Sequence, residues 1–254
     1  MPELAESTSP QHLVPFIHEE LGSKSLHFSL DQLQSKMNNS DPDELALDYT
    51  KTMMGFLLLN SQPKHIAMIG LGGGSLAKFC YKNLPETKMT VVEINPHVIA
   101  LRKDFLVPDD DERFKVIEAD GADFVRDAEP EFDVLLVDGF DLEGQAPQLG
   151  SQQFYENCNR VLVDQGILAV NLHTFLPTYS LFVDRIDRSF DSNIAEVSAQ
   201  RDGNTIVFAG KNMALSAHAL RAKLHTRHVA VNRLKSLKNV FQQIIWDWQA
   251  RKTE

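Results

Sequence analysis

From residue 65 to residue 210 the sequence alternates short apolar runs with stretches of helical spacing. "HIAMIG" (65–70), "KMTVVEI" (88–94), "FKVIEAD" (114–120), "FDVLLVDGF" (132–140) and "GILAVNL" (166–172) read as strands. Residues 75–83, 95–105, 121–128, 151–162 and 178–190 read as the helices between them. Strands that are apolar throughout and separated by helices are buried on both faces. This pattern predicts a mostly parallel sheet covered by helices on either side. "NIAEVSA" and "NTIVFAG" are joined only by "QRDG". That link is too short for a crossover helix, so the last strand is antiparallel.

The flanks are less regular. Residues 1–10 are expected to fray, and "LHFSLDQLQSKM" (26–37) reads as a strand or hairpin. After the turn "NNSDPDE", Leu45, Tyr49, Met53, Phe56 and Leu57 recur at helical spacing over 43–60. Residues 214–250 read as helical, with Trp246 and Trp248 anchoring the end to the core or to a second subunit. The expected units are a small N-terminal β/helical region (1–60), a cofactor and catalytic domain (61–212) and a C-terminal helical extension (213–254).

Net charge is -10, which argues against a nucleic-acid surface. The polar, acidic start is not read as a signal peptide, and no run of about 18 apolar residues exists, so no membrane span is expected. Cys80 and Cys158 lie in no CxxC pair and read as reduced core thiols of a cytoplasmic protein. No residue grouping has metal-ligand spacing; "PDDDER" (108–113) reads as a solvated loop with a helix cap.

The chemistry concentrates where strands end. In "AMIGLGGGSLAKF", Gly70, Gly72 and Gly74 form GxGxG at the junction of a strand and a helix. Such a turn lets backbone approach a ligand and aims free N–H groups at it. A dinucleotide fingerprint would place a third glycine where Ser75 stands, which weakens that reading. Glu93 ends the second strand, 21 residues after Gly72, where an acid can accept both ribose hydroxyls or simply be a solvated strand end. Asp120 ends the third strand, and a group there can meet an adenine edge or cap the next helix. Asp138 and Asp141 bracket the end of the fourth. Such a pair can hold a cationic amine and take its proton, or serve as turn and cap residues. A nucleoside without a pyrophosphate fits this edge best, which points to S-adenosylmethionine or a relative.

In order, "LQSKM", "IGLGGGSLAKF", "VVEINPHVI", "EADGADF", "FDVLLVDGFD", "QLGSQQFY" and "GILAVNL" give the chain a resemblance to the spermidine synthase (polyamine aminopropyltransferase) family, and to its short bacterial branch. The resemblance runs from about Leu26 to Gly210. It implies an α/β, Rossmann-like fold of the class I S-adenosylmethionine-dependent methyltransferase type. It also implies aminopropyl transfer from decarboxylated S-adenosylmethionine to a small-molecule amine such as putrescine, and a homodimer. Carried onto this chain, Gln34 contacts the donor or its product 5'-methylthioadenosine. Glu93 holds the ribose, and Asp120 with Gly121 holds the adenine. Asp138 receives the amine's proton and Asp141 anchors the acceptor.

The chain departs from the family at several positions. The cofactor turn reads GLGGGS where the family has GGGDGG, so Gly73 replaces the acid that meets the donor's amine. Leu47 occupies the place of a family tyrosine, with Tyr49 two residues on, and Leu142 replaces the usual proline. Two alternatives therefore stand beside aminopropyl transfer: a methyltransferase using intact S-adenosylmethionine, and a non-catalytic cofactor-binding homologue. Methyltransferases usually carry an acid two positions before the first glycine, where this chain has Met68. His173 and Asn171 lie near the same edge and read as a partly buried, hydrogen-bonded histidine and as a residue of the cleft or loop. Tyr155 reads as helix packing, and the basic stretch 221–238 as a solvated helix face.

Overall fold

The computed structural model describes residues 12–30, 32–140, 144–199, 203–213, 215 and 237–250. All seven expected strands form one sheet. They are β4 (His65–Ile69), β5 (Lys88–Glu93), β6 (Phe114–Glu118), β7 (Phe132–Val137), β8 (Leu162–His173), β9 (Ile194–Ser198) and β10 (Asn204–Gly210). Their order is β6-β5-β4-β7-β8-β10-β9. The first five pair in parallel, whereas β10 runs antiparallel to both β8 and β9. β8 begins four residues earlier than its apolar run, directly after the helix Gln152–Val161.

Alternate residues of each central strand feed two cores, as the pleat requires. On one face Leu135, Val137, Leu168, Val170, Val207 and their neighbours pack under helices α5 (Gly121–Asp127), α6 (Gln152–Val161) and α7 (Tyr179–Ser189). Tyr155 and Cys158 are buried there, in keeping with packing roles. On the other face Ile167, Ala169, Ile206 and Phe208 meet α1 (Asp48–Met53), α2 (Phe56–Leu59) and α3 (Ser75–Asn83), with Cys80 inside. A short helix, α4 (Pro96–Ala100), follows β5; it stops at 100 instead of 105 and gives way to turns ending at Leu106, whose φ is +55°.

Several expectations are corrected at the flanks. The N-terminal part is a three-stranded antiparallel sheet, β1 (Phe16–Glu20), β2 (Ser23–Ser29) and β3 (Gln32–Asn38), so a strand precedes the expected hairpin. The single helix expected over 43–60 begins only at 48 and is broken at Gly55. There the chain tightens, Gly55 N–H bonding to the Thr52 carbonyl (2.8 Å), and Phe208 and Ile244 crowd the position where a Cβ would stand. The terminal helix α8 (Lys238–Ala250) buries Phe241 and Ile244. Trp246 is 73% exposed, so it does not anchor α8 to the chain's own core. The side chain of Trp248 and most of the basic stretch 221–238 lie outside the described residues. In "PDDDER", Asp111 does not cap a helix. Its Oδ1 accepts the N–H groups of Arg113 and Phe114 at the start of strand β6.

Candidate active site

The carboxyl ends of β4, β5, β6 and β7 bring the expected residues to one edge of the sheet. The glycine turn leaves β4 and enters α3. Gly70 has φ +93°, and a Cβ there would stand 2.3 Å from the Asp138 carbonyl oxygen. The turn therefore abuts the end of β7, a contact reinforced by Asp138 N–H donating to the Ile69 carbonyl (2.9 Å). Gly72 and Gly74 also have positive φ, and Gly74 forms the N-cap of α3.

Glu93 is buried behind this turn. Its Oε2 accepts the N–H of Leu71 (2.8 Å) and its Oε1 the N–H of Asn95 (2.9 Å). Burial pushes its carboxyl above the usual range, while these backbone donors, with those of Gly72 and Ile94, pull the other way. Glu93 thus holds the turn in shape. Asp120 caps α5 by accepting the Ala122 N–H (2.7 Å), and Gly121 opens that helix against Ile69.

Asp138 is recessed just past the end of β7. Its Oδ2 accepts from the Tyr49 hydroxyl (3.2 Å), and its Oδ1 from the Asn171 amide (2.9 Å). Burial raises its carboxyl above the ordinary range, and these two donors partly oppose that rise. Tyr49 stands on α1, two residues beyond the position expected for a tyrosine, and still reaches the acid. His173 is half-buried, as expected, but it is held by ring stacking, on Phe140 (4.4 Å between centroids) and Phe175 (5.0 Å). Asp141 lies outside the described residues.

The N-terminal sheet roofs the glycine turn. Leu26 pairs with Ser35 and His27 with Leu33, which leaves Gln34 as the extra residue of a β-bulge. Ser35 faces Gly73: a Cβ on residue 73 would lie 2.6 Å from the Ser35 hydroxyl oxygen. Ser35 in turn shares a hydrogen bond with Ser75 (3.3 Å). Two residues of the edge were not picked out from the sequence. Ser35 is a small residue in a weakly patterned strand. Asn204 starts β10, and its side-chain amide donates to the Asn171 Oδ1 (2.8 Å). The one available signal was the short "QRDG" link, which makes β10 antiparallel and brings its first residue to this edge.

An open α/β sheet with a glycine turn, an acid behind it and a recessed carboxylate beside it has the layout of α/β proteins that bind their ligands at the carboxyl edge of the sheet. The Spermine/spermidine synthase domain family matches residues 46–199. A polyamine aminopropyltransferase of Chromobacterium violaceum is 40% identical over 194 residues, covering 76% of this chain and 74% of that one. A probable spermidine synthase from Corynebacterium glutamicum shares the fold with a TM-score of 0.69 at 18% identity, over 83% of each chain. Human Methyltransferase-like protein 13, solved with SAH, shares it with a TM-score of 0.65 at 22% identity, over 74% of this chain and 93% of that one. The chain belongs to the spermine/spermidine synthase family, and it is a transferase with the Rossmann-like fold common to that family and to methyltransferases.

Proposed function

We propose that this protein transfers an aminopropyl group from decarboxylated S-adenosylmethionine to a polyamine such as putrescine. The observation that carries the reading is the recessed carboxylate of Asp138, held by Tyr49 and Asn171 on a residue whose backbone abuts the glycine turn. A base and a nucleoside cradle then share one border, as displacement at a carbon beside sulfur requires.

In this reading Gly70, Gly72 and Gly74 admit the donor's nucleoside, Glu93 accepts from its ribose, and Asp120 with Gly121 meets its adenine. Gln34 contacts the donor from the N-terminal sheet. Asp141 anchors the distal ammonium of the acceptor, and the stacked rings of Phe140 and His173 suit its methylenes. The acceptor arrives as an ammonium, and Asp138 takes one proton from it. The freed nitrogen lone pair attacks the carbon bonded to the sulfonium. The C–N bond forms as the C–S bond breaks, and the bonding pair goes to sulfur, leaving 5'-methylthioadenosine. The product nitrogen is a secondary ammonium, and Asp138 passes its proton to solvent. Burial suits Asp138 to this task, because a higher proton affinity narrows the gap to the amine.

The test combines turnover with calorimetry. Decarboxylated S-adenosylmethionine with putrescine should give 5'-methylthioadenosine. Asp138→Asn should lower kcat by roughly 10²–10⁴-fold while 5'-methylthioadenosine still binds with near-normal affinity. Binding confined to intact S-adenosylmethionine would refute aminopropyl transfer, and normal turnover by D138N would refute the assignment of the base.

A further inference from the structure

We propose that Asn204 is a positioning residue for the transfer: acting through Asn171, it decides that Asp138 faces a hydrogen-bond donor and not an acceptor. The inference rests on the reading of Asp138 as the base. The two asparagines come from different strands. Asn204 lies opposite His173 in the antiparallel β8–β10 pair, and Asn171 is the next residue of β8 on the same face. The pairing thus sets the two amides diagonally across the strands, at the sheet edge where Asp138 sits.

A carboxamide can be placed two ways round, with its NH2 or its oxygen toward a given neighbour. For Asn171 the choice is coupled to the orientation of Asn204, whose donor end faces it. The Asn204 Nδ2 can only donate, and it points at the Asn171 Oδ1 from 2.8 Å. With its oxygen committed there, Asn171 must turn its Nδ2 to the Asp138 Oδ1, at 2.9 Å. Asn171 is 2% exposed and Asn204 5%, so little water competes for these groups. Without the Asn204 donor, Asn171 could reverse and set its carbonyl against the carboxylate. A reversed amide disfavours the ionised acid, which is the form that must accept a proton.

Among the described residues, the other groups around Asp138 do not duplicate this control. From α1, Tyr49 donates to the opposite oxygen. From the glycine turn, Gly70 offers backbone only. Farther along β8, His173 is held toward its neutral form by burial, stacked on Phe140. Asn171 is therefore the donor to Oδ1, and Asn204 is what orients it.

Two variants test this, both in the full chain. Asn204→Leu keeps the branching of the side chain and removes the donor. Asn204→Asp replaces it with an acceptor, so that Asn171 should turn around. The acid limb of the kcat/KM–pH profile should move to higher pH by about one pH unit in N204L and further in N204D. On the acid limb itself kcat/KM should fall about tenfold at a given pH, with 5'-methylthioadenosine affinity unchanged. In parallel, the Asp138 carboxyl is titrated by 13C NMR of aspartate-labelled protein, its signal identified by its loss in D138N. That titration should move with the acid limb. An unmoved Asp138 titration in a folded N204L or N204D overturns the proposal, even if activity is lost. Should D138N itself prove fully active, the reading of the base fails, while the NMR titration still decides whether Asn204 governs Asp138.

Discussion

At the scale of single residues, the site sets chemistry against stability. Among the described residues, Asp138 is stabilised in its charged form by side-chain donors from Tyr49 and Asn171, against a burial that favours the neutral acid. Its folded-state pKa lies above the unfolded one. Its contribution to stability is therefore fully present below the ordinary carboxylate pKa and is lost as pH rises through the folded value. The prediction is that D138N melts a few degrees above the parent at pH 7.5, and that the difference closes near pH 4. Calorimetric melting of both proteins across that range checks it. What the sequence revealed at this scale followed strand ends: Glu93, Asp120 and Asp138 stand where apolar runs stop, and all three reach one edge. Asn204 and Ser35 stayed hidden because their importance depends on partners brought close by pairing and packing, which a linear pattern does not display.

At the scale of elements, legibility tracks burial. The central strands were readable because both their faces are buried, which forces continuous apolar runs. Strand β1, "FIHEE", is mostly exposed and carries too little apolar content to mark itself. The break between α1 and α2 was missed because Gly55 is dictated by Phe208 and Ile244, residues that arrive from distant elements. The same logic explains Gly73. With the Ser35 hydroxyl 2.6 Å and the Phe105 ring 3.0 Å from the place of a Cβ, an aspartate at 73 cannot enter unless the Ser35 side chain gives way. Gly73→Asp alone should therefore lower the melting temperature and weaken 5'-methylthioadenosine binding, and adding Ser35→Gly should recover most of both. A double variant no better than G73D would show that Ser35 is not the obstacle. The check is paired calorimetry and thermal unfolding of the two variants.

At the scale of the whole molecule, the N-terminal sheet is fastened to the central one partly through a charge. Lys78 of α3 is 1% exposed, and its ammonium donates to the Phe105 carbonyl (2.7 Å) and lies 3.2 Å from the Met37 sulfur of β3. Burial lowers its pKa from 10.5 to about 8, with the Asp43 charge acting in the opposite direction. Between those values the unfolded chain binds more protons than the folded one, so this group's contribution makes the protein more stable as pH rises from about 8 toward 10.5. Lys78→Met removes that dependence. The melting temperature of K78M relative to the parent should therefore be highest near pH 7 and fall steadily by pH 10. A difference that stays flat with pH would mean that Lys78 is not held in a perturbed state.

The strand order has a consequence for biosynthesis. β4, β5 and β6, which carry the glycine turn, Glu93 and Asp120, are contiguous both in the chain and in the sheet. They leave the ribosome well before β10, and domains tend to form from the N-terminal side during translation. The half that carries the glycine turn can thus assemble early, whereas Asn204 arrives later, on the strand that runs against the others. A nascent or prematurely terminated chain would carry the cradle without the residue that orients its acid, so competence to bind nucleoside would precede competence to turn over.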